Sequence, residues 1–117
     1  MSGPRGYSAD VLTVMDALRA GETPDRVLVQ RAVRALLAAL ARKAPGRSVE
    51  VRVPPYGAVQ CVEGPRHTRG TPANVIETDP VTWIGIATGG MAWEEAVRTG
   101  RISASGARAD LSPHLPI

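Results

Sequence analysis

A chain of 117 residues, 44% hydrophobic and 21% charged, has the composition of one soluble globular domain, and with no Phe, two Trp and two Tyr its core must be mainly aliphatic. The net charge of +3 comes almost wholly from arginine, scattered among eleven acids, which argues against a nucleic-acid interface, where cations gather on one face beside stacking aromatics. Cys61 is the only cysteine, which excludes an internal disulfide and a cysteine-based zinc cluster.

Residues 1–7 read as a loose N-terminus to a single domain spanning 1–117. The stretch SADVLTVMDALRAG predicts a short helix capped by Ser8 or Asp10, with Val11, Val14, Met15 and Leu18 on one stripe and Gly21 as its stop. The stretch from Glu22 to Gly46 predicts the longest helix. Thr23 is its expected N-cap and Pro24 its first residue, and Val29, Val33, Leu36, Leu37 and Leu40 recur at helical spacing. The period then changes. SVEVRVP alternates valines with Glu50 and Arg52, as a half-buried strand does, and YGAVQCVEG follows as a hairpin partner. Residues 64–72, rich in Gly and Pro, read as a loop carrying Arg66, His67 and Arg69. ANVIETD predicts a third strand. Thr78 or Asp79 then caps a helix over VTWIGIATG that is apolar all round and so must be buried on more than one side. AWEEAVRTG predicts a further short helix, RISASG a strand, and Ala107–Ala109 a last strand, while Pro113 and Pro116 argue against any C-terminal helix. This order predicts an α+β domain with helices on one face of a mainly antiparallel sheet.

Chemistry is sparse. No zinc-binding HExxH, no Cys–His pair, no nucleophile elbow and no Walker-type phosphate loop is present. Glu94 and Glu95 are adjacent on a helix, point apart, and suit the positive end of its dipole. The expectation is a protein that is not an enzyme and needs no cofactor or metal. Arg66, His67 and Arg69 form the one polar cluster able to meet a phosphate or carboxylate. No run of about 18 apolar residues is long enough to span a bilayer, and the N-terminus lacks a secretory apolar run, so a cytoplasmic location is expected.

The stretch TGGMAWEEAVRTGRISASG, residues 88–106, resembles the C-terminal signature of the sterol carrier protein type 2 superfamily, through Thr88, Gly89, Ala96, Gly100, Arg101, Ile102, Ser105 and Gly106. RVPPYGAVQCVEGPRHTRGTPANVIETDP looks like the small stand-alone bacterial branch of that superfamily, typical of actinobacteria. The detailed match covers about a third of the chain, and the element order extends it over most of the rest. One departure is the short, Pro-rich ending SPHLPI, where many relatives carry an extended amphipathic segment that helps close the cavity.

The resemblance implies a curved, mostly antiparallel sheet of about five strands with helices on one face, and an apolar cavity between them for a lipid or acyl chain. Trp83, Ile84, Ala87, Met91, Trp93 and Val97 are the residues expected at its wall. Arg66, His67 and Arg69 are expected at an anionic head group. The expected partner is a hydrophobic small molecule or lipid, with at most transient membrane contact. The alternative is a protein-interaction module whose cavity is filled, covered by a partner or a second copy of the chain.

Overall fold

The computed structural model describes residues 6–64 and 74–117. Its elements are α1 (Ala9–Arg19), α2 (Arg26–Lys43), β1 (Val49–Val53), β2 (Gly57–Cys61), β3 (Val75–Thr78), α3 (Pro80–Thr88), α4 (Trp93–Arg98) and β4 (Ile102–Ser105). The fold is α+β, as the element order predicts, with the helices packed against the sheet.

Among the described residues the sheet has four strands, in the order β2-β1-β3-β4. The predicted hairpin is present, with β1 antiparallel to β2 and Val53 opposite Gly57 beside the turn. The centre differs from expectation. β1 and β3 run parallel, with Val51 opposite Ile76, and only the outer pairs are antiparallel. The sheet is therefore mixed. The chain leaves β2 beside the start of β1 and enters β3 beside the same end, and that crossing sets β3 parallel to β1. The fifth strand expected at Ala107–Ala109 is a turn instead. Gly106 has φ 106°, the Ala109 N–H returns to the Gly106 carbonyl, and the buried Asn74 accepts from the Arg108 N–H. That amide side chain also donates to the Ser48 carbonyl at 2.7 Å, tying the starts of β1 and β3 to the turn after β4.

Capping residues account for most helix boundaries. Ser8 Oγ accepts from the Val11 N–H, as expected for α1. α2 starts later than expected. Its cap is Asp25, whose carboxylate accepts from the N–H groups of Val27 and Leu28, leaving Thr23 and Pro24 outside the helix. A carboxylate both bonds the orphan donors and meets the positive end of the helix dipole, so it outcompetes the threonine hydroxyl. At the C-terminus, one 3-10 turn, Ser112–His114, forms where no helix was expected. Pro113 is tolerated because the first residues of a helical turn need no N–H partner.

One apolar cluster joins the layers. α2 contributes Val29, Ala32, Val33, Leu36, Leu37 and Leu40, and β1 contributes Val49, Val51 and Val53. α1 and α3 both pack on α2, while α4 packs against α3 and β4. Tyr7, read as part of a loose terminus, is buried in this cluster, and its hydroxyl donates to the Ile117 carbonyl.

Candidate functional site

α3 is fixed at both ends by its own sequence. The Asp79 carboxylate accepts from the Thr82 N–H and hydroxyl, each at 2.8 Å, and Pro80 occupies the first turn. Gly89 ends the helix at φ 84°, a left-handed conformation that glycine adopts without steric cost. The chain then doubles back, and the Met91 N–H donates to the Gly85 carbonyl at 3.1 Å. The absence of a side chain at residue 85 eases this return. A Cβ there would stand 3.2 Å from Met91 Cβ and 3.6 Å from Met91 Cε.

Between α1 and α3 lies a largely apolar cleft of about 240 Å³. Ile84, Gly85 and Thr88 of α3 form one side, Met15 and Leu18 of α1 the other, and Met91 closes one end. Arg19 stands on its rim, paired among the described residues with the exposed Asp16 at 3.3 Å. Exposed pairs of this kind contribute little, so that guanidinium can turn to another anion.

A second, more polar cleft of about 200 Å³ lies where the C-terminal segment crosses α3 and the start of α4, lined by Ile86, Met91, Trp93 and Leu115. Its roof is strapped down. The Ile117 N–H donates to the Ala87 carbonyl, and Lys43 Nζ donates to the carbonyls of His114 and Pro116 at 3.0 and 2.8 Å. Met91 is the residue common to both linings. Arg101 lies outside it, its guanidinium 4.0 Å from the Met91 sulfur.

The residues expected at a ligand wall separate into groups. Ile84 and Met91 line the α1–α3 cleft, and Met91 and Trp93 line the second. Trp83 and Ala87 expose nothing to solvent and line neither cleft. The Trp83 indole N–H donates to the Val33 carbonyl of α2 at 3.3 Å. Val97 is exposed on α4 and lines neither cleft. Arg66, His67 and Arg69 lie outside the described residues. Sequence reasoning missed the α1 side of the cleft. The signal was available in the α1 stripe, since Val11 and Val14 are buried while Met15 and Leu18 stay half-buried.

Among the described residues, no group of His, Cys, Asp and Glu side chains is placed to hold a metal ion, and no helix is long and apolar enough to cross a membrane. Cys61 is fully buried, and burial pushes its thiol up to about 11.

Residues 25–117 match the family described as bacterial SCP ortholog. A comparison with curated proteins finds no match.

Proposed function

Because this chain belongs to that family of bacterial sterol carrier protein (SCP) orthologues, we propose that it binds and carries a hydrophobic small molecule bearing an alkyl or acyl chain, without catalysis, as a single-domain cytoplasmic protein. The observation that carries this reading is the apolar α1–α3 cleft, walled by Met15, Leu18, Ile84 and Met91. Binding an alkyl chain needs apolar walls and adaptable side chains rather than a nucleophile. Methionine supplies such adaptability through an unbranched, polarisable side chain. Arg19 at the rim is placed for an anionic head group, which a guanidinium engages through paired hydrogen bonds.

Size limits the affinity. At roughly 30 Å³ per methylene, close to the volume share of a water molecule, a cleft of about 240 Å³ admits at most about eight methylenes. Burying them yields about 6 kcal/mol at ~0.8 kcal/mol each. Association takes back at least about 4 kcal/mol, so this cleft alone holds a chain end only weakly, and a ligand that survives purification draws further contacts from its head group or from the second cleft.

Native mass spectrometry of the purified protein, followed by denaturing extraction, tests the reading. The expected result is a co-purifying lipid or fatty acid that is lost in Met15→Glu, with unchanged circular dichroism. Met15 is half-buried, so that charge enters the cleft without entering the core. An apo mass in both proteins, together with no heat of binding on titrating dodecanoate into the wild-type protein, overturns it.

A further inference from the structure

We infer that Met91 is a displaceable plug that sets the length of chain the protein accepts; this rests on the proposed function and deepens it. The two clefts, of about 240 and about 200 Å³, share Met91 among the described residues that line them. Each alone falls below the ~300–1,000 Å³ typical of small-molecule sites, and together they fall within it. The half-buried Met91 side chain is thus the movable group that the two clefts share, beside the turn backbone of Gly89 and Gly90.

The local geometry lets that side chain leave while its backbone stays. The Met91 N–H is bonded to the Gly85 carbonyl, and the bare α-carbon of Gly85 lets the turn sit close against α3. Among the described residues, the side chain itself makes one weak polar contact, the long approach of the Arg101 guanidinium to its sulfur. Three rotatable bonds and no branch make it easy to swing aside. The volume it vacates is that of an unbranched thioether, so the occupant that fits is an unbranched alkyl chain. Such a chain would run from Ile84 and Gly85, through the position of the Met91 side chain, toward Trp93 and Leu115. With Met91 in place a short chain fills the α1–α3 cleft alone, and with Met91 displaced a long chain occupies both clefts.

The test titrates octanoate and hexadecanoate, each below its aggregation concentration, into the wild-type protein and into the Met91→Ala and Met91→Phe variants, by calorimetry. The readout is the ratio of the two association constants. Removing the plug should raise the hexadecanoate-to-octanoate ratio at least tenfold, and the rigid phenyl ring should lower it at least fivefold. Equal changes for both acids, or an unchanged ratio in both variants, overturn the inference while leaving the proposed function standing. Failure of hexadecanoate to bind any of the three proteins overturns both, and melting curves on each variant establish that the proteins compared are folded.

Discussion

Trp83 separates core from ligand wall in a way one substitution can read. Its side chain exposes nothing, and its indole N–H bonds the Val33 carbonyl at a long 3.3 Å. In Trp83→Phe the bond is lost, at a cost near the lower end of ~0.5–1.5 kcal/mol. The smaller ring also leaves a void. Full truncation of a buried Trp costs about 3–5 kcal/mol, and Phe keeps part of that packing, so the total is about 2–3 kcal/mol. Set against the ~5–15 kcal/mol that holds a domain folded, the variant remains native at room temperature. Urea titration followed by circular dichroism should show the midpoint falling by about 1–2 M with an unchanged slope. Octanoate affinity should stay within threefold of wild type, because Trp83 lines neither cleft. A variant as stable as wild type that has lost octanoate binding would refute the reasoning and put the indole at the ligand wall.

Two further expectations concern the scaffold. Asp79→Ala removes the side-chain acceptor of the Thr82 N–H and hydroxyl, and should lower stability by about 1–2 kcal/mol, read by calorimetry as a fall in Tm of about 5–10 °C. Asp79→Asn, which keeps one acceptor oxygen, should recover much of that loss, and an Asn variant no better than Ala would contradict the capping role. For Cys61, burial raises the native thiol from 9.0 to about 11. Between those values the unfolded thiol has lost its proton and the native one has not, so stability is whole below pH 9 and falls as pH rises toward 11. At ~1.4 kcal/mol per unit the loss reaches at most about 3 kcal/mol. Comparing urea midpoints at pH 8 and pH 11 in wild type and Cys61→Ala isolates this contribution, and an identical pH-dependent loss in both proteins would contradict it.

Local chemistry made most of the scaffold readable. Ser8 and Asp79 are caps in sequence and in structure, and the valine alternation of 49–53 marks β1. In Thr23-Pro24-Asp25 three successive residues suit a helix start, and no pattern within the stretch ranks them. Strand direction was not legible either, because a period of two looks the same in a parallel and an antiparallel neighbour. The parallel β1–β3 pairing depends on where the chain crosses after Cys61. The last strand failed for a tertiary reason, as the Asn74 side chain takes the Arg108 N–H that a ladder would use.

The same limit explains the site. Trp83 and Trp93 are the same residue type and both are buried in the core cluster, but the contact of α3 with α2 encloses the first completely, while the second keeps an edge on a cleft. The methionines were more informative than they looked. In a chain without Phe, the α1–α3 cleft is closed by Met15 from one helix and Met91 from the turn after another. The glycines near Met91 divide the task of placing it. Gly85 gives up its side chain so that the turn can approach, and Gly89 takes the left-handed conformation that starts the turn. A buried aromatic in place of Met91 would fix one cavity shape. An unbranched side chain anchored through its backbone leaves the division between the two clefts open to the ligand.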